Sequence, residues 1–175
     1  MLERFAEQAR TVVADTMATA QAQGLDEVRA EHLLLSLTRV ADGATAVVLT
    51  ENGLDAALVA RVVGGPSSLL DDGDRAALGA LGIDVDDVLA RIEEGLGPDA
   101  LAPVPATGRR PRFTKEAKKS LEMAVRTTTA RHARTISVDD LLVGIVRADS
   151  PGVAKVLAAA GTDADRVVAS VSSSQ

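Results

Sequence analysis

A constant offset of 108 residues relates the two ends of this chain. Under that shift Phe5 meets Phe113, Ala9 meets Ala117, Val13 meets Leu121 and Met17 meets Val125. Leu33, Leu34 and Leu37 meet Leu141, Leu142 and Ile145, and Arg39 meets Arg147. Further along, Ala46, Val48, Leu49, Gly53, Asp55 and Val59 meet Ala154, Val156, Leu157, Gly161, Asp163 and Val167. The register never slips, and it carries core positions, a turn glycine and a cap alike. A fixed internal period of this kind is the signature of duplication.

Each copy reads as four helices. From Leu2, the apolar residues Phe5, Ala9, Val12, Val13 and Met17 follow the spacing of one helical face until Gly24. A shorter helix over 31–41 turns Leu33, Leu34 and Leu37 inward, and Asp42-Gly43 interrupts it. Ala46 to Leu49 begin a third, which ends at Asn52-Gly53, where glycine can take the left-handed conformation. Asp55 then caps a fourth that carries Leu58, Val59, Val62 and Val63 to Gly64-Gly65. Between the copies, DRAALGALGIDVDDVLARIEEGLG repeats the helix–Gly–Asp–helix logic, with Gly82 and Asp84 answering Gly53 and Asp55. The stretch holding Pro98, Pro103, Pro105 and Pro111 reads as an irregular connector. No strand-like alternation is present elsewhere. The expected fold is therefore all-α: repeat one over 1–65, an additional helical pair and linker over 66–111, and repeat two over 112–175.

Hydrophobic residues make up 46% of the 175 residues, yet Phe5 and Phe113 are the only aromatic ones, so the interior must be aliphatic and alanine-rich. A net charge of −6 gives no general attraction to nucleic acid or to anionic membranes. With no cysteine there is no disulfide framework, thiolate nucleophile or cysteine zinc site. The N-terminus has no uninterrupted apolar segment, and no apolar run approaches about 18 residues, so the expectation is a soluble cytoplasmic protein with no membrane partner. The lysines are Lys115, Lys118, Lys119 and Lys155; none follows a glycine, so no phosphate-binding loop of an ATPase is present. His32 and His132 have no cysteine partners, and no nucleophile elbow or HExxH helix organises the serines, aspartates and histidines. Neither an enzyme, a metal site nor a cofactor is expected.

Two short stretches share a pattern. EHLLLSL at 31–37 and DDLLVGI at 139–145 each open on an acidic residue, Glu31 and Asp139, ahead of apolar positions at equivalent places. A carboxylate in the first turn of a helix is stabilised by the macrodipole, by roughly 0.3–1 kcal/mol, without any ligand. Ser137 and Asp140 fit a capping box. RRPRFTKEAKK at 109–119 places six cations against one acid; Arg112, Lys115, Lys118 and Lys119 near a helix start oppose its dipole and can receive an anion, or can simply be solvated. With no aromatic residue interleaved beyond Phe113, nucleic acid is disfavoured there. Phe5 and Phe113 stand at equivalent starts of the first helices and read as core anchors.

ERFAEQARTVV at 3–13, AEHLLLSL at 30–37 and RFTKEAKKSLEMAVR at 112–126 resemble the N-terminal domain of Clp ATPases of the ClpC and ClpA type. The resemblance covers about 2–63 and 112–172 and implies two four-helix repeats packed with pseudo-twofold symmetry; the helical pair at 66–97 departs from the family's short linker. It implies that Glu31 and Asp139 stand where the glutamate of a Thr-Glu-His motif engages the guanidinium of phosphoarginine, a degradation mark on client proteins. Here the motif's threonine is Ala30 in one copy and Val138 in the other. It also implies a surface for natural cyclic peptides, matched by Arg10, Phe113, Lys118 and Glu122, with Leu2 in place of a phenylalanine. The function implied is a non-enzymatic interaction module, free of ATPase modules, that binds clients, adaptors or Clp unfoldase and protease components. The alternative is a decoy that sequesters cyclic-peptide antibiotics aimed at the unfoldase.

Overall fold

The computed structural model describes residues 4–64, 77–84, 87, 88, 91, 94 and 110–174. Leu2, Arg109 and most of the proline-bearing connector lie outside these residues. The first half runs α1 (Glu7–Ala22), β1 (Glu27–Val28), α2 (Ala30–Val40), α3 (Gly43–Glu51) and α4 (Ala56–Gly64). The second runs β2 (Arg112–Phe113), α5 (Lys115–Ala130), α6 (Val138–Val146), α7 (Pro151–Ala159) and α8 (Ala164–Ser173). Each helix of the second half starts 108 residues after its counterpart, as the sequence offset requires. The fold is all-α, built from two four-helix repeats.

The repeated punctuation has a physical cause. Gly53 and Gly161 adopt φ of 68° and 70°, so that the Leu54 and Thr162 amides can turn back to the Leu49 and Leu157 carbonyls. Two residues on, the carboxylates of Asp55 and Asp163 accept from the Leu58 and Arg166 amides at 2.7 and 2.8 Å and open the next helix. The additional pair repeats the device. Residues 77–80 are helical, Gly82 has φ 76°, Ile83 N–H donates to the Leu78 carbonyl, and Asp84 accepts from the Asp87 amide.

The halves interlock by exchange. Phe5 bridges to Ile136, and Val28 pairs in parallel with Phe113, so the chain entering the first helix of each half lies against the chain entering the second helix of the other. Ala6 N–H donates to the Ile136 carbonyl at 2.8 Å and Thr114 N–H to that of Val28 at 2.9 Å, two bonds that map onto each other under the 108-residue shift. These two-residue strands are too short to show alternation, which is why the sequence reads as purely helical. The core lies around α2 and α6, where Leu33, Leu34, Leu37, Leu141, Leu142 and Ile145 are completely buried. Phe5 is buried as a core anchor, and Phe113 is half-buried against the same cluster.

The repeats differ where their first two helices cross. A Cβ on Gly144 of α6 would overlap the Ser120 carbonyl and the Ala124 amide of α5, so these helices meet backbone to backbone. The equivalent positions in the first half are Ser36 and Thr16. Their added atoms line a shallow recess between α1 and α2, together with Ala20 and His32.

Candidate functional site: two carboxylates across the repeat boundary

Glu31 is the second residue of α2 and Asp139 the second residue of α6. Both side chains leave their own repeat. The Glu31 carboxylate lies against Gly152 in the first turn of α7, so close that a Cβ on that glycine would overlap it. Ser150, the residue that begins α7, places its hydroxyl 3.5 Å from Glu31 Oε2. In the other direction, Thr45 in the first turn of α3 donates its hydroxyl to Asp139 Oδ1 at 2.6 Å. Under the 108-residue shift α3 becomes α7, so each acidic head sits at the N-terminus of the other repeat's third helix. Free amides and the positive end of the helix dipole make that a favourable seat for a carboxylate.

The two stations differ in openness. Glu31 is 9% exposed, whereas Asp139 is half-buried. Thr45, Ser150 and Gly152 were not singled out from the sequence. The repeat offset was the available signal, because it places 43–45 and 151–153 in matching first turns.

The residues beside the carboxylates are structural caps. His32 Nδ1 accepts the Arg29 amide at 3.1 Å, and its equivalent Asp140 accepts the Ser137 amide at 3.0 Å, completing the S-x-x-D box. Burial, with the nearby Arg29 charge adding to it, lowers the His32 pKa to about 4. Asp140 is 1% exposed and also accepts from Arg131 Nη2 at 2.9 Å. Among the described residues, no group of three His, Cys, Asp or Glu side chains could hold a metal ion. No described single helix is long and apolar enough to cross a membrane.

Arg112, Lys115, Lys118 and Lys119 are all exposed around the start of α5. Glu116 lies among them, and its own amide, then the Thr114 hydroxyl, hold its carboxyl below the usual range. Of the residues matched to a cyclic-peptide surface, Arg10, Lys118 and Glu122 are exposed and Phe113 is half-buried.

The family model described as the Clp repeat (R) N-terminal domain matches residues 66–160, more than half of the chain. Among solved structures, the chain is similar to the N-terminal domain of the caseinolytic-protease-associated chaperone ClpD from Arabidopsis thaliana. The identity is 19% and the TM-score 0.66, over 99% of this chain and 95% of that one. The Hsp104 N-terminal domain from Candida albicans matches at 12% identity and TM-score 0.63, over 97% and 89%. A structure described as part of a malarial protein secretion system matches at 13% and 0.61, over 97% and 93%. At these identities the solved structures speak for the fold.

Proposed function

This chain belongs to the Clp repeat N-terminal domain family, a class of non-catalytic protein-interaction modules of Clp chaperones, and we propose that it binds client or adaptor segments at the two carboxylate stations and thereby modulates a Clp protease. The observation that carries the proposal is the pairing of a carboxylate with a foreign helix N-terminus, made once in each direction across the dyad. A phosphoarginine side chain has the complementary halves. Its guanidinium is a bidentate partner for a carboxylate, and its phosphate suits the amides of a helix start. Asp139, being half-buried, is the entry point; Glu31 is reached only if the contact with α7 opens.

Calorimetric titration with phosphoarginine, using unmodified arginine as control, tests this directly. Wild type should bind, Asp139→Ala should weaken binding about tenfold or more, and Glu31→Ala should have the smaller effect. Equal weak heats from all three proteins would discard the ligand.

A second reading, the cyclic-peptide decoy, is favoured by Phe113, the one aromatic side chain left half-buried, and by Lys118 and Glu122, which are exposed and one turn apart on α5. It requires that overexpression protect cells from such an inhibitor. Unchanged sensitivity would remove it.

A further inference from the structure

We infer that the recess between α1 and α2 is a binding site for a carboxylate, offered by an acidic side chain or by the C-terminus of a peptide. His32 and Ser36 stand one turn apart on α2, opposite Thr16 and Thr19 of α1 and Gln23 at its end. Together they line a space of about 10 Å³, enough for one oxygen-sized group. The polar atoms turned to it are donors. His32 Nδ1 accepts the Arg29 amide at 3.1 Å, so the neutral ring carries its proton on Nε2, which can only donate. Ser36 is 2% exposed and borders the recess, yet its hydroxyl has no hydrogen-bond partner among the described residues. Thr16 spends its proton on the Val12 carbonyl at 2.7 Å, whereas Thr19 and Gln23 keep theirs. A buried hydroxyl without a partner carries a desolvation cost that a bound acceptor removes. No carboxylate lines the recess, and the charge that reaches the His32 ring is that of Arg29.

The second repeat shows what this crossing accepts. Under the 108-residue shift Gln23 becomes Arg131, His32 becomes Asp140 and Ser36 becomes Gly144. There α6 supplies a carboxylate of its own. Asp140 Oδ2 accepts from the Ser137 amide at 3.0 Å and from Arg131 Nη2 at 2.9 Å, and Gly144 brings α6 directly onto α5. In the first repeat the same capping position is a histidine, which presents a donor where Asp140 presents an acceptor, and Ser36 and Thr16 border the recess in place of the backbone contact. The polarity of the crossing is therefore reversed between the repeats. A carboxylate complements the reversed set, since one of its oxygens can accept from His32 Nε2 and from the Ser36 and Thr19 hydroxyls, and such bonds are strengthened by the acceptor's charge.

The experiment titrates the full chain with acetate, and with neutral acetamide of the same shape, while NMR follows the His32 ring and the Ser36 amide. Acetate should shift both signals in a saturable way and acetamide should not. Two pairs of short peptides distinguish the sources: a blocked peptide carrying Glu against the same peptide with Gln, and a free C-terminal acid against its amide. Saturable shifts from either acid, with none from its neutral twin, support the site and name the source. Ser36→Ala, which removes a single buried oxygen, should weaken acetate binding about fivefold. His32→Asp keeps a capping carboxylate, as Asp140 does for α6, and should abolish binding by supplying the acceptor from within. Asp139→Ala should leave acetate binding unchanged, which separates this recess from the carboxylate stations. Equal shifts from acetamide, shifts confined to residues 110–119, or undiminished binding by Ser36→Ala and His32→Asp would each overturn the inference.

Discussion

Thr45 Oγ1 donates to Asp139 Oδ1 at 2.6 Å, tying the first turn of α3 in one repeat to the first turn of α6 in the other. Thr45 is buried, so the carboxylate cannot regain a water in its place without rearrangement. A hydrogen bond to a charged group contributes about 1.5–3 kcal/mol, and removing one partner leaves the other unsatisfied. Thr45→Val and Asp139→Ala should each lower stability by about 1–2 kcal/mol in urea titrations. The double variant should lose clearly less than the sum, a coupling of about 1 kcal/mol. Strict additivity would mean that the bond does not hold the halves together.

The reciprocal contact gives a different signature. Alanine is about 1 kcal/mol more favourable than glycine inside a helix, yet a Cβ at Gly152 overlaps the Glu31 carboxylate. Gly152→Ala should therefore destabilise the wild type by roughly 1–3 kcal/mol, the usual range for overpacking. In a Glu31→Ala background the overlap is gone, and the same substitution should be neutral or stabilising. Thermal melts of the four proteins settle the sign.

A strained turn offers a stabilising change. Gly24 ends α1 with φ 68°, and its counterpart after α5 is His132, with φ 56°. The surrounding bonds are the same in both: the residue after the turn, Leu25 or Ala133, donates back to the carbonyl of Ala20 or Thr128. His132 thus adopts a left-handed conformation that costs an L side chain about 1 kcal/mol and glycine almost nothing. His132 is exposed, so His132→Gly should raise stability by about 0.5–1 kcal/mol. A loss of stability would show that the imidazole makes a contact worth more than the strain.

Much of this architecture was legible before any coordinates, because the code that specifies it is local. Gly53, Gly82 and Gly161, each followed by a capping aspartate, mark three helix–turn–helix units through the physics of four consecutive residues. The 108-residue offset made the duplication visible. What stayed hidden is what happens between repeats. Nothing local in Phe5 or Val28 says that they pair with Ile136 and Phe113, since two residues carry no period. Glu31 and Asp139 could be read as first-turn acids, but not as acids of one repeat serving helices of the other; that depends on the dyad, which places α7 over one and α3 over the other. His132 carries no turn signal of its own type, and its left-handed conformation emerges only in the structure, where it stands in the place of Gly24.

Acid stability should report on His32. Its half-buried ring lines the recess between α1 and α2, and its Nδ1 accepts the Arg29 amide, an arrangement that favours the neutral imidazole in the folded state. Burial, and secondarily the Arg29 charge, bring the pKa from 6.5 to about 4. Because the folded value lies below the unfolded one, the unfolded chain takes up the proton first. The contribution is fully present above pH 6.5 and is lost as pH falls through the interval down to about 4. At 1.36 kcal/mol per unit it amounts to roughly 2–3 kcal/mol once partial solvent access is allowed for. Carboxylates such as Glu116, held below its usual range, add their own loss at lower pH. His32→Gln isolates the histidine, since glutamine at this helix position can accept the same amide in a capping box and does not titrate. Urea midpoints measured from pH 7 to pH 4 should fall steeply for wild type and much less for His32→Gln. Parallel curves would mean that the native fold accommodates the protonated ring, and that the cap on α2 does not depend on Nδ1 as an acceptor.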